Sequence, residues 1–122
     1  MTSVGVDLLE VNRIETAITR YGERFLMRVF TEDELAYCKS QPQQLAARFA
    51  AKEAVSKALG TGIQHPVGVG WREIEIIADA RGKPMVRLSG SAARRAAEIG
   101  LRTFALSLSH TRDHAIAMVV AD

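Results

Sequence analysis

Arg48-Phe49-Ala50-Ala51-Lys52-Glu53-Ala54-Val55-Ser56-Lys57-Ala58-Leu59-Gly60-Thr61-Gly62 reads as a helix written largely in alanine and closed by glycine. Alanine has the highest intrinsic helix propensity, so such a backbone needs little help from its charged residues. Those charges become candidates for chemistry. At 100° per residue Ala47, Ala51, Ala54 and Ala58 fall in one narrow stripe, a smooth face that can approach a sheet closely. Glu53 and Lys57 are read on roughly the opposite side, with Arg48 and Lys52 on a flank. The expectation is a scaffold helix over about residues 43–59, with its alanine face buried and its ionic face presented. Gly60 is its natural C-cap.

Upstream, Thr2, Val4, Val6 and Leu8 alternate with Ser3, Gly5 and Asp7, the period of a half-buried strand. A helical pattern follows, with Val11, Ile14, Ile18, Tyr21 and Phe25 on one face and Gly22 bending or interrupting it. Thr31-x-x-Glu34 is a capping box that opens a short helix. Downstream of the alanine-rich helix, residues 61–70 form a Gly/Pro loop, and strands are expected near 73–77 and 84–88 around the turn at 79–83. A short helix near 91–99 precedes two last strands, about 103–109 and 115–120. Segregated helices and short strands with polar turns predict an α+β fold. Its mainly antiparallel sheet would pack against the long alanine-rich helix and the shorter ones, in a single domain over residues 1–122.

Composition narrows the function only slightly. The chain has 122 residues, 48% hydrophobic and 25% charged, and a net charge of +2. These are ordinary globular values. The few aromatics sit at core-like positions and form no stacking platform, so nucleic acid is not an expected partner. The lone Cys38 cannot form an internal disulfide and reads as a small half-buried hydrophobe. No long apolar span points to a membrane. The expected location is the cytoplasm.

Several polar residues admit two readings. Asp7, at the end of a strand, can hold a divalent cation through its carboxylate, or can cap the next helix in the pattern Asp7-x-x-Glu10. Glu53 and Lys57 are a favourable i, i+4 surface pair or a catalytic pair. His110 contacts a phosphate or caps a turn. Gly82-Lys83-Pro84 is a hairpin turn or part of a ligand site. Arg13, Arg20 and Arg24 project within ~40° of one another if their helix is continuous. They form either a solvated face or a ridge that steers an acidic partner.

In order along the chain stand Gly5-Val6-Asp7-x-x-Glu10, Phe30-Thr31-x-x-Glu34, Arg48-Phe49-Ala50-Ala51-Lys52-Glu53-Ala54-x-Ser56-Lys57-Ala58, Gly82-Lys83-Pro84 and Ser107-x-Ser109-His110-Thr111. The set resembles the holo-acyl-carrier-protein synthases, the small bacterial type of 4′-phosphopantetheinyl transferase. That resemblance implies transfer of phosphopantetheine from coenzyme A to a serine of apo acyl carrier protein, with release of adenosine 3′,5′-bisphosphate, in fatty acid biosynthesis. It also implies a homotrimer with active sites between protomers. Asp7 and Glu53 would hold Mg²⁺ or Mn²⁺, with Glu53 as base and Lys57 beside the departing phosphate. Coenzyme A would meet Arg48, Lys57 and Gly60, then Lys83 and Pro84 near the adenine, and His110 and Thr111 at the phosphates. The carrier protein would meet Arg13, Arg20 and Arg24, with Ala17 and Phe25 packing between them. The rival reading is a non-catalytic module that binds an acidic helix through the arginines. A Mg²⁺-dependent phosphohydrolase is a weaker third.

Overall fold

The computed structural model describes residues 1–63 and 68–122. The loop expected over 61–70 falls partly outside them, as does His65. Strand β1 (Ser3–Glu10) leads into helices α1 (Val11–Tyr21), α2 (Glu23–Val29), α3 (Glu32–Cys38) and α4 (Pro42–Ala58). A 3₁₀ turn at Trp71–Glu73 then precedes β2 (Ile74–Ala78), β3 (Pro84–Leu88), α5 (Gly90–Glu98), β4 (Phe104–His110) and β5 (His114–Ala121). The strands form a three-stranded antiparallel sheet ordered β1-β5-β4 and a separate β2-β3 hairpin. This is the expected α+β architecture.

The α4 helix lies across the three-stranded sheet, and its alanine stripe is the contact. Ala47, Ala51, Ala54 and Ala58 are all buried, facing Ala115, Ala117 and Val119 of β5. Small residues on both sides allow a close approach, and Gly5 shows how close. A Cβ at Gly5 would stand 1.8 Å from the Ala54 carbonyl oxygen, so only glycine fits there. Ser3 adds a hydrogen bond from its Oγ to the Ala58 carbonyl, 2.5 Å.

The ionic face of α4 differs from the expectation. At 100° per residue, Glu53–Lys57 and Arg48–Lys52 each stand roughly 110° from the alanine stripe, on opposite flanks. The Arg48–Lys52 flank is covered by α3 and β2 and is not solvated. Arg48 is 5% exposed and Lys52 is fully buried. Lys52 Nζ pairs with Glu34 Oε1 at 2.8 Å and donates to the Trp71 and Ile74 carbonyls. Burial pulls its ammonium below the usual lysine range, against the opposing pull of Glu34. This lysine belongs to the folding architecture. A helix buried on almost every side has little amphipathicity, which is why the pattern misled.

Local signals fared well. Thr31 and Glu34 form both hydrogen bonds of a capping box. The β2–β3 turn is held by Asp79, whose carboxylate accepts from the Arg81 and Lys83 amides, with Gly82 at φ 82°. Gly22, at φ 58°, separates α1 from α2, so the arginine ridge is broken between Arg20 and Arg24. Tyr21 is exposed rather than in the core. Cys38 is buried, and burial pushes its thiol up to about 11.

Candidate active site

Asp7 lies inside β1, with Ala117 opposite it on β5. The strand runs on to Glu10, and α1 begins without a side-chain cap. The capping-box reading of Asp7 therefore fails, because continued pairing with β5 holds those residues extended. By strand alternation Gly5, Asp7 and Leu9 share the side turned to α4. Gly5 brings the helix down onto the strand, and Asp7 comes to the Glu53–Lys57 flank. Lys57 Nζ reaches Asp7 Oδ1 at 3.2 Å and also donates to the Val6 carbonyl at 2.9 Å.

Glu53 completes the cluster. Burial raises its proton affinity first and the charge of Asp7 raises it further, while Lys57 and Arg13 pull the other way. The net direction is upward. Two carboxylates that repel across a half-buried space, with one ammonium beside them, form an under-neutralised acidic pair. Mg²⁺ takes one or two protein carboxylates and fills its other positions with water and phosphate oxygen. The donor set of Asp7 and Glu53 fits that ion and no richer site. Among the described residues no group of three or more His, Cys, Asp or Glu side chains could hold a metal. Gly60, at φ 73°, ends α4 one residue after the buried Leu59 and three after Lys57.

The remaining expected residues lie elsewhere in the chain. His110 and Thr111 are exposed at the β4–β5 hairpin and border a cleft of about 70 Å³ with Leu8 and Ile116. Thr111 also serves its turn, since its Oγ1 accepts from the His114 amide at 3.2 Å. Arg48 lies on the far flank of α4 from Glu53. Its guanidinium donates to Gln44 Oε1 at 2.6 Å and lies 4.7 Å from the centre of the Tyr37 ring. Lys83 ends the hairpin turn and Pro84 opens β3, next to Gly82, which faces the Tyr37 hydroxyl. Within one chain, then, the fold unites Asp7, Glu53 and Lys57, but holds Arg48 apart and puts His110 and Thr111 on a separate cleft.

On the outer surface, Arg13 and Arg20 are exposed on α1 and Ala17 is half-buried between them. Arg24 and Phe25 border a groove of about 420 Å³ on α2 together with Tyr21 and Arg28. Arg28 was not singled out in the sequence, although it lies one turn beyond Arg24. Tyr37 and Gln44 were also passed over. Gln44 is four residues from Arg48 on one helix, a legible spacing, whereas the approach of Tyr37 depends on how α3 packs.

Comparison with known proteins agrees with the sequence motifs. The family profile of the 4′-phosphopantetheinyl transferase superfamily matches residues 3–119. A holo-[acyl-carrier-protein] synthase of Herpetosiphon aurantiacus is 52% identical, covering 98% of each chain. One from Halothermothrix orenii is 45% identical over 98% of this chain and 95% of its own. Among solved structures, the Helicobacter pylori synthase in complex with coenzyme A superposes with a TM-score of 0.87. It is 31% identical, covering 98% of this chain and 99% of that one. The Neisseria meningitidis synthase also gives a TM-score of 0.87, at 36% identity, covering 98% and 97% of the two chains.

Proposed function

The chain belongs to the 4′-phosphopantetheinyl transferase superfamily, and from that premise we infer that it acts as a holo-acyl-carrier-protein synthase. It transfers 4′-phosphopantetheine from coenzyme A to a serine of apo acyl carrier protein. A serine oxygen–phosphorus bond forms, the pyrophosphate bond breaks, and adenosine 3′,5′-bisphosphate leaves. The observation that carries this reading is the meeting of Asp7, Glu53 and Lys57 at one point of a chain whose full-length relatives are such synthases.

Each residue has a chemical task in this reading. Serine is a weak nucleophile at neutral pH and must lose its proton as the new bond forms. Glu53 accepts that proton, directly or through a water, and its raised proton affinity suits the role. Asp7 and Glu53 would hold Mg²⁺, which would supply charge neutralisation toward the pyrophosphate. Lys57 is kept at the site by the Val6 carbonyl and Asp7, where its charge stabilises the departing phosphate. Both Glu53 and Lys57 stand on a helix packed hard against β1, so their spacing is set before substrate arrives. Arg48, Gly60, Lys83, Pro84, His110 and Thr111 are the proposed coenzyme A contacts. Arg13, Ala17, Arg20, Arg24 and Phe25 form the carrier surface, extended by Arg28.

A homotrimer with shared sites is part of the same proposal, and two features support it. Arg48 and Glu53 lie on opposite flanks of α4, so one ligand spanning both kinds of residue is better served by two copies. The outward face of the three-stranded sheet also carries Val4, Val6 and Leu8 of β1 beside Ile116 and Met118 of β5. Leu8 is 65% and Val4 58% exposed. An apolar patch of that kind marks an association surface. Among the described residues no helix is long and apolar enough to cross a membrane. We place the enzyme in the cytoplasm, in the supply of carrier for fatty acid synthesis.

The test is direct. Incubated with coenzyme A, Mg²⁺ and apo carrier protein, the enzyme should add the mass of one phosphopantetheine to the carrier. No adduct on any carrier offered would refute the transferase reading, and bisphosphate release without an adduct would point to a hydrolase.

A further inference from the structure

The setting of Arg48 points to a residue that the sequence motifs omit. The residue is 5% exposed, yet no carboxylate pairs with its guanidinium among the described residues. Arginine carries five N–H donors in a rigid fork. Gln44 accepts from one nitrogen, and Tyr37 offers the face of its ring at 4.7 Å. A buried cation is ordinarily paired. Here an amide oxygen and an aromatic face hold the charge in place without cancelling it, which leaves the fork ready for an anion.

Tyr37 itself is 48% exposed, so its ring does not serve the core. Its hydroxyl points toward the β2–β3 turn, 3.9 Å from where a Cβ on Gly82 would lie. Three segments that are distant in sequence therefore meet at this side chain: the last turn of α3, the middle of α4, and the turn carrying Lys83 and Pro84. Its position makes sense as the floor over which the guanidinium carbon stands, 4.7 Å from the ring centre.

We propose that Tyr37 is a positioning residue for coenzyme A. Its ring fixes the plane of the Arg48 guanidinium so that the fork meets a phosphate of the nucleotide. The proposal rests on the transferase reading above and adds to it a specific route to substrate affinity. Tyr37 touches neither the serine nor the pyrophosphate directly, so its effect must appear in coenzyme A binding and pass through Arg48.

The experiment is a double-substitution cycle on the intact enzyme, with coenzyme A binding followed by calorimetry and transfer by carrier mass. Tyr37→Ala should raise the Kd and KM for coenzyme A about fivefold, the value of a partly desolvated cation–π contact of about 1 kcal/mol. The kcat, the carrier KM and the Tm should stay near those of the parent. Tyr37→Phe keeps the ring face and should restore most of the affinity. In an Arg48→Ala background, Tyr37→Ala should add nothing further, because its partner is gone. Unchanged coenzyme A affinity in Tyr37→Ala, or an equal loss in both backgrounds, would overturn the proposal. Affinity lost only together with a fall in Tm would also overturn it, by making the role structural. A parent enzyme that neither binds coenzyme A nor modifies a carrier would instead defeat the transferase reading, a separate outcome.

Discussion

At the scale of single residues, Glu53 is built to be uncomfortable. Half-burial and the neighbouring Asp7 charge both disfavour its ionised form, and Lys57 and Arg13 offset them only in part. The folded protein therefore binds this proton more tightly than the unfolded chain does. That preference favours folding fully below the ordinary glutamate range around 4.5 and is lost as pH rises through the raised value. Glu53→Gln cannot ionise, so at neutral pH without divalent cation it should melt above the parent. The gap should close as the pH falls. Transfer should drop by about 100-fold or more, the usual worth of a positioned general base. Mg²⁺ should raise the melting temperature of the parent more than that of the variant. A Gln variant that melts lower at neutral pH would remove the electrostatic account, and normal turnover would remove the catalytic one. Gly5 makes a complementary case by sterics. Gly5→Ala would force α4 off β1 and cost about 1–3 kcal/mol as overpacking, readable in urea unfolding. Because Asp7 and Glu53 sit on those two elements, turnover should fall with it. An alanine variant of unchanged stability would mean that helix and strand are not in close register.

At the scale of elements, the Glu34–Lys52 pair shows what the chain discloses and what it hides. Glu34 accepts from the Thr31 and Ile76 amides as well as pairing with Lys52, so α3, α4 and β2 share one polar knot. Lys52→Met keeps the volume but strands the Glu34 carboxylate in a dry interior. Unfolding free energy should fall by about 3–5 kcal/mol. Adding Glu34→Gln should recover part of that loss, since no unpaired charge then remains. A loss below about 1 kcal/mol in the single variant would indicate a pair behaving as if solvated. The Thr31–Glu34 capping box was legible because its partners are three residues apart and its chemistry is local. The hairpin at Asp79–Lys83 was legible for the same reason. Lys52 was misread because both its counter-charge and its burial come from segments far along the chain. Of the two readings of Asp7 the cap fails, because pairing with a strand more than a hundred residues later keeps the backbone extended. The proposed metal pair was read only from the co-occurrence of motifs. Helical spacing alone put Glu53 and Lys57 on the side away from the sheet, whereas Lys57 in fact bends back to β1.

At the scale of the whole molecule, the alternation in β1 carries the largest consequence. Its apolar residues, Val4, Val6 and Leu8, do not face the core. Gly5, Asp7 and Leu9 do, because the close approach of α4 requires glycine at position 5 and strand alternation carries residues 7 and 9 to the same side. The apolar set is turned outward and continues across the sheet in register, with Val6 opposite Met118 and Leu8 opposite Ile116. A chain that spends its hydrophobic stripe on the outside gains by covering it with identical copies. A repeating head-to-tail contact that closes after three would form a ring without free ends. The shared site proposed above requires such a ring to bring the Arg48 flank of one copy to the Glu53 flank of the next. Met118→Glu tests both halves of this argument at once. Met118 is 49% exposed in the single chain, so the substitution should leave the circular dichroism spectrum of the protomer intact. Three carboxylates brought into an apolar contact should instead break the proposed assembly, and sedimentation should shift from the trimer proposed for the parent to monomer. Coenzyme A-dependent carrier modification should disappear with the trimer, although every proposed site residue is still present. Full activity in a demonstrated monomer would mean that one chain completes the site by itself, and the division of labour across α4 would need another explanation.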